Sequence, residues 1–290
     1  MIDERAFLFG CNGDELCGIL HIPEQPVRHL GVLLVVGGPQ YRVGSHRQFV
    51  LLARALSRAG IPVLRFDYRG MGDSTGTSRD FETVDDDITA AKELLFSELP
   101  EVKFLVFWGL CDAASANAFY AMKQQDRRII GQVALNPWAR TPEGEAEAYI
   151  RHYYAKRLFS MAFWRKVLDL KVDVAGAIKD FLHKFQQSHQ PDPGLATSDR
   201  PHLPQRLFEA QTLFPGSTLL ILSGQDLTAK EYEARVAESP EWQDWLSSER
   251  VTVKKLDDAD HTFSRAVWRE QVNVWTRDWI YRLIAEGSDS

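Results

Sequence analysis

Short apolar runs alternate with amphipathic stretches along most of this chain. Runs rich in Val, Ile, Leu and Phe are typical of parallel strands that are buried on both faces. The predicted strands are 31–36, 62–66, 102–108 and 129–135, and the predicted helices are 46–60, 81–99 and 112–125. Strands that alternate with helices in this way form a doubly wound, mostly parallel sheet. The sequence therefore predicts an α/β fold.

The two ends of the chain extend this pattern. Residues 5–10 and 16–22 read as two strands around a Cys-Asn-Gly-Asp turn, which predicts an opening β-hairpin. Strands at 217–222 and 250–256 resume the sheet, and a final helix is expected at 264–284.

The alternation stops between residues 139 and 205. This segment combines helical stretches rich in large aromatic side chains with a polar, proline-containing piece. We expect a helical cap inserted into a core domain that comprises residues 1–138 and 206–290. A plain additional helical layer is the alternative.

The composition limits the partners and the compartment. The net charge of −6 is spread along the chain without a basic tract, which argues against nucleic acid as a partner. No apolar run approaches the roughly 20 residues that a membrane-spanning helix needs, so no membrane insertion is expected. Three cysteines and a polar start favour a cytoplasmic protein. The sequence shows no metal-binding pattern and no phosphate loop, so no cofactor is expected, and the oligomeric state stays open.

Cys111 stands between a predicted strand and a predicted helix. Its neighbours two positions away, Gly109 and Ala113, are small, as in the G-x-S-x-G turn that exposes a nucleophile where strand and helix approach closely. A helix N-terminus favours a thiolate. Cys111 is therefore the candidate nucleophile, and a structural cysteine in a tight turn is the alternative.

Two further polar residues follow the last two predicted strands. Asp226 comes after the strand at 217–222, and His261 comes after the strand at 250–256. The carboxyl ends of parallel strands meet at one edge of the sheet, and the order nucleophile, acid, histidine is that of α/β-hydrolases. We expect a Cys111-His261-Asp226 triad in which the acid orients the histidine. Asp260 is the alternative acid, but adjacent side chains on an extended turn usually point apart.

The glycine loop at 37–38 follows the first parallel strand and lets the backbone approach a substrate carbonyl. A backbone N–H of this region, that of Gly38 or that of Gln40, is expected to form an oxyanion hole with the backbone N–H of Asp112. The side chain of Asp112 is expected to face away. Arg42, His46 and Tyr153 are candidate substrate-binding residues. For Arg42 and His46, a salt bridge and a solvated helix start are equally good interpretations.

Several motifs resemble those of known hydrolases. The segment Asp-Tyr-Arg-Gly-Met-Gly-Asp-Ser at 67–74 resembles a turn common in α/β-hydrolases. The segments GGPQYRVGSHRQF, GLCDAASA and SGQDLTAKE together resemble the type 1 exosortase A system-associated hydrolases of bacterial exopolysaccharide gene clusters. The resemblance implies the α/β-hydrolase fold and a bacterial hydrolase with a role in exopolysaccharide production. The cysteine in place of serine departs from the broad family.

Three functions fit these residues. The first is hydrolysis of a small-molecule ester, lactone or thioester through an acyl-Cys111 intermediate, that is, an esterase or thioesterase. The second is acyl transfer to a sugar hydroxyl on the same triad. The third is a non-catalytic binding protein that retains a hydrolase pocket, for which the unusual residues at Asp112 and Ala113 give some reason.

Overall fold

The structure is a computed structural model that describes residues 3–26, 29–38, 40–139 and 202–286. All described residues except His202 belong to one compact unit. The described strands are β1 (Asp3–Cys11), β2 (Asp14–Ile22), β3 (Leu30–Val35), β4 (Val63–Asp67), β5 (Phe104–Leu110), β6 (Ile129–Leu135), β7 (Ser217–Ser223) and β8 (Val251–Leu256). The described helices are α1 (Gln48–Arg58), α2 (Asp85–Glu98), α3 (Asp112–Gln124), α4 (Leu203–Leu213), α5 (Leu227–Ala237), α6 (Pro240–Leu246) and α7 (Ala266–Glu286).

The described strands form one sheet in the order β1-β2-β4-β3-β5-β6-β7-β8. The pairs β1–β2 and β2–β4 are antiparallel, and all pairs from β4–β3 to β7–β8 are parallel. This topology confirms the predicted doubly wound, mostly parallel sheet with an opening hairpin. Among the described helices, none is long and apolar enough to cross a bilayer.

The core lies on both faces of the sheet, which explains the continuous apolar runs. In β5, Leu105 and Phe107 pack in a cluster with residues of α2 and α3. Their neighbours Val106 and Trp108 point to the other face, where they pack with residues of α1 and α7. Successive strand residues face opposite sides, so a central strand between two helical layers is apolar at most positions.

Two helices begin later than the sequence pattern predicts. The expected start of a helix at residue 46 is wrong, because His46 and Arg47 have φ angles of 53° and 61°, which no α-helix accommodates. They belong to the turn before α1, which begins at Gln48. Similarly α2 begins at Asp85 rather than at 81, and three aspartates in its first turn favour that start through the helix dipole.

Most of the predicted cap, 139–205, lies outside the described residues, and its existence remains a prediction. At its far end, Leu203 begins α4, which packs against α3 of the core. The helices α5 and α6 between β7 and β8 have no counterpart in the sequence prediction. Each begins at a capping side chain, Asp226 for α5 and Ser239 for α6, and this signal was present in the sequence.

Strand β5 and helix α3 approach each other very closely at Gly109. A Cβ atom at this position would lie 2.7 Å from the backbone carbon of Ala113 and 2.7 Å from Nδ2 of Asn117. We expect Gly109→Ala to lower the free energy of unfolding by roughly 1–3 kcal/mol, since added methyl groups in packed regions cost that much. Urea denaturation measures the change. The control is Gly10→Ala in β1, where an added Cβ meets no atom within 4 Å. An equal loss in both variants would contradict the prediction.

His21 of β2 is fully buried beside a buried arginine. Arg65 Nε donates to His21 Nε2 at 2.9 Å, which requires a neutral imidazole with its proton on Nδ1. Burial, and then the positive charge of Arg65, lower the pKa of His21 to about 4. His21 therefore stays neutral in the folded protein at a pH where it would be protonated in the unfolded chain.

This difference predicts a loss of stability in mild acid. Below the ordinary pKa of about 6.5, the unfolded chain binds a proton that the folded protein accepts only near pH 4, so stability falls as the pH drops between these values. The loss approaches about 3 kcal/mol. Urea denaturation from pH 7 to pH 4 measures it, with His21→Gln as the non-titrating comparison. Identical pH slopes for both proteins would exclude His21 as the cause.

Candidate active site

Cys111 occupies a tight turn between β5 and α3. Its φ and ψ angles are 64° and −126°, a conformation that is costly for any residue with a Cβ and that marks functional turns. Its N–H donates to the carbonyl of Leu135 at 2.8 Å, and its carbonyl accepts from Ala114 and Trp138. The Cys111 side chain remains half-buried. The turn therefore has the geometry of a nucleophile elbow.

His261 and Asp226 lie together at the same edge of the sheet. His261 Nδ1 and Asp226 Oδ2 are 2.9 Å apart. Asp226 is buried, and its carboxylate also accepts from the backbone N–H groups of Thr228 and Ala229 at the start of α5. These N–H groups keep the carboxylate in place, so it faces the imidazole ring in a defined orientation.

Cys111 is close enough to His261 to act on its ring. Burial lowers the pKa of His261, but hydrogen bonds to Asp226 and Cys111 and the charges of these two groups outweigh burial and raise the pKa to about 10. His261 is therefore protonated at neutral pH.

Asp260, the alternative acid, has a different partner. Its Oδ1 accepts from the Ser264 N–H at 2.9 Å, and its Oδ2 accepts from the Ser264 hydroxyl. Burial raises the pKa of Asp260, but these hydrogen bonds outweigh burial and lower it. Asp260 thus closes the turn before α7, whereas Asp226 is the carboxylate that contacts His261.

A buried polar pair holds the backbone of the loop that carries Asp260 and His261, here called the histidine loop. Asn136 directly follows β6, Ser223 ends β7, and both are fully buried. Asn136 Nδ2 donates to the Ser223 hydroxyl at 2.9 Å and to the His261 carbonyl at 3.1 Å. Ser223 in turn donates to the Asp260 carbonyl at 3.0 Å. Sequence reasoning missed this pair, although a polar residue directly after each apolar run was a usable signal.

The loop after β3 contacts the elbow directly. Gly38 has a φ of 61°, and its N–H donates to Asp112 Oδ2 at 2.9 Å. A Cβ at Gly37 would lie 2.1 Å from Asp112 Oδ1 and 2.7 Å from the Leu110 carbonyl oxygen, so only glycine fits there. The expectation that the Asp112 side chain faces away is wrong: its carboxylate turns toward the glycine loop and accepts from the loop's N–H.

The other predicted loop residues have partners in the loop itself or in the 67–74 turn. Gln40 Oε1 accepts from the backbone N–H and the hydroxyl of Ser45. Arg42 forms ion pairs with Asp67 and Asp73. The salt-bridge interpretation therefore describes Arg42, and its guanidinium group stabilises the loop.

His46 and Tyr153 complete the set of predicted substrate-binding residues. His46 is exposed, close enough for its charge to lower the pKa of Asp260. Tyr153 lies outside the described residues. Among the described residues, no group of three or more His, Cys, Asp or Glu side chains is arranged to hold a metal ion.

The 67–74 turn has an architectural role. Asp67 accepts from the backbone N–H groups of Arg42 and Asp73. Arg69 is buried and pairs with the buried Asp87 of α2 at 2.8 Å. These contacts connect the turn to the glycine loop on one side and to α2 on the other, so both are held beside the elbow.

This fold, with an elbow, a histidine and an acid at one edge of the sheet, defines the class of α/β-hydrolases. The sequence matches the alpha/beta hydrolase family over residues 32–272. The chain therefore belongs to the alpha/beta hydrolase family and is a hydrolase-class enzyme. No curated protein matches the sequence.

Solved structures share this fold at low sequence identity. The esterase Pf2001 of Pyrococcus furiosus is 17% identical, with a TM-score of 0.68 over 97% of this chain and 91% of that one. Est1E of Butyrivibrio proteoclasticus, solved with ferulic acid, is 20% identical, with a TM-score of 0.62 over 96% and 99%. A serine hydrolase homologue from Coxiella burnetii is 14% identical, with a TM-score of 0.58 over 94% and 96%. At these identities the likeness shows the fold.

The contact between Asp226 and His261 predicts a measurable titration. We expect Asp226→Asn to lower the pKa of His261 from about 10 toward the ordinary value of about 6.5, because the variant removes the carboxylate charge that stabilises the imidazolium. NMR titration of the His261 ring follows the change. Asp260→Asn is the matched control, since it removes the carboxylate next in the chain. A larger drop in the control than in Asp226→Asn would contradict the assigned contact.

Proposed function

We propose that this enzyme hydrolyses a small-molecule ester, lactone or thioester through an acyl-Cys111 intermediate. The observation that carries the proposal is the contact of His261 with Asp226 beside Cys111, which stands on a strained elbow. The esterase name of the neighbour Pf2001 and the ferulic acid bound to the neighbour Est1E agree with a carboxylic ester as substrate.

In the proposed reaction, the attacking form of Cys111 is the thiolate, and His261 holds the proton. The Cys111 thiolate attacks the carbonyl carbon, and the carbonyl electron pair moves to the oxygen. When the tetrahedral intermediate collapses, the bond to the leaving group breaks and the His261 imidazolium gives that group its proton. Neutral His261 then takes a proton from water, and the resulting hydroxide attacks the acyl-thioester. Collapse of this second intermediate releases the acid and restores the Cys111 thiolate beside the His261 imidazolium. Asp226 stabilises the imidazolium in both halves.

The thiolate restricts the leaving group. A cysteine has an ordinary pKa of about 8.5, so the tetrahedral intermediate expels a thiolate far more readily than an amide nitrogen. With an amide substrate the intermediate therefore returns to reactants, unless the nitrogen is protonated first. Alcohols, phenols and thiols leave more readily. Esters, lactones and thioesters are therefore the substrates we propose.

The biological setting is part of the proposal. The resemblance of the glycine loop, the elbow and the acid loop to exosortase A system-associated hydrolases supports a role in bacterial exopolysaccharide production. All three cysteines carry free thiols, which agrees with a reducing, cytoplasmic compartment.

Substitution of the nucleophile tests the function. We expect Cys111→Ala to lower kcat for p-nitrophenyl and thioester substrates by at least about 10³-fold, because removing a triad nucleophile leaves only binding and oxyanion stabilisation. Cys17→Ala is the matched control, since this half-buried cysteine lies in β2 and takes no part in the triad. Mass spectrometry of stopped reactions should detect an acyl adduct on Cys111. Equal turnover by Cys111→Ala and the wild type would overturn the proposal.

A further inference from the structure

The carboxylate of Asp112 accepts hydrogen bonds from backbone N–H groups of the elbow and of the glycine loop. Asp112 Oδ2 accepts from the Gly38 N–H at 2.9 Å, and Oδ1 accepts from the Ala113 N–H at 2.9 Å. Two backbone N–H groups therefore converge on one side-chain carboxylate.

One of these donors is a group that an α/β-hydrolase needs for the substrate. The oxyanion hole in this fold consists of the N–H after the nucleophile and an N–H from the loop after β3. In this chain those groups are the N–H of Asp112 and the candidate N–H of Gly38. The residue after the nucleophile thus supplies one donor through its backbone, while its carboxylate occupies the other.

The contact is built into the backbone of the loop. The space that a side chain at position 37 would fill is taken by the carboxylate, since a Cβ there would lie 2.1 Å from Asp112 Oδ1. The positive φ of Gly38 directs its N–H at the carboxylate. A longer or branched residue at 37 would exclude Asp112 from this position.

Backbone dipoles, rather than a cation, hold the charge. Among the described residues, no Lys or Arg forms an ion pair with Asp112. Burial raises the pKa of Asp112, the backbone hydrogen bonds act in the opposite direction, and the nearby charge of Asp80 raises it further. The carboxylate is therefore held in place by donors that an incoming oxyanion can take over.

We propose that Asp112 is a specificity-determining residue: its carboxylate occupies the oxyanion hole, and an acyl substrate reacts only after displacing it. The proposal rests on the proposed function. Displacement requires binding energy from parts of the substrate remote from the carbonyl. It therefore selects substrates with groups that bind beyond the acyl carbon, and it makes small, featureless esters poor substrates.

Substitution of Asp112 tests this selection with p-nitrophenyl acetate, an ester without remote groups. We expect Asp112→Ala to raise kcat/KM for this ester on the order of 10- to 100-fold, because each freed donor in such a hole is worth about that much or more. Asp112→Asn should give a smaller rise, since its amide oxygen still accepts a hydrogen bond without the charge. Glu98→Ala is the matched control, as it removes an exposed carboxylate at the far end of α2.

Added acetate gives a readout that a merely structural role would not change. In Asp112→Ala, acetate should enter the vacated hole and inhibit turnover competitively, while chloride at equal ionic strength should not. In the wild type, acetate should have no effect, because the hole already holds a carboxylate. Equal sensitivity of both proteins to acetate, or unchanged or lower kcat/KM in both Asp112 variants, would overturn the proposal.

A double variant that combines Asp112→Ala with Cys111→Ala separates this proposal from the proposed function. If the rise in kcat/KM seen in Asp112→Ala disappears in the double variant, both proposals hold. If no protein shows Cys111-dependent turnover, the proposed function fails, and the Gly38 amide proton decides the role of Asp112. Its NMR shift should titrate with the carboxylate in the wild type and not in Asp112→Asn. A shift that does not titrate in the wild type would overturn the occupancy of the hole.

Discussion

The site depends on the close approach of β5, α3 and the loop after β3 around Cys111. The left-handed backbone of Cys111 costs of order 1–3 kcal/mol, and it persists because the elements around it are fixed. Strand β5 pairs with β3 and β6 on its two sides, and its residues are buried on both faces. Glycines at 37 and 109 remove the side chains that would hold these elements apart.

Around this turn, buried polar groups form connected hydrogen bonds that hold neighbouring loops and helices in place. Asp226 begins α5 and contacts His261 with the same carboxylate, so the helix start and the orientation of the His261 ring cannot vary separately. Asn136 and Ser223 hold the backbone of the histidine loop. Buried polar groups of this kind are costly when one partner is missing, which makes the arrangement cooperative.

The hydrogen bonds of Asp112 differ in one respect from those of the other buried carboxylates. Elsewhere, each buried carboxylate holds loops or helices in place, as Asp87 does with Arg69. Asp112 instead accepts from the Gly38 N–H, a donor that the proposed reaction needs. Under the proposed function, this contact is consistent with an enzyme whose substrate must contribute binding energy to reach the reactive geometry.

The sequence by itself determined the sheet, the order of the strands along the chain and the positions of Cys111, Asp226 and His261. These follow from local rules: apolar runs form buried strands, and polar residues after such runs lie at the edge where strand ends meet. Tertiary structure alone decided where individual side chains point. Asp112 meets Gly38 from 74 residues away, and Arg42 meets Asp67 across two loops. Such contacts depend on how separate segments pack together, and no local pattern in the sequence records that.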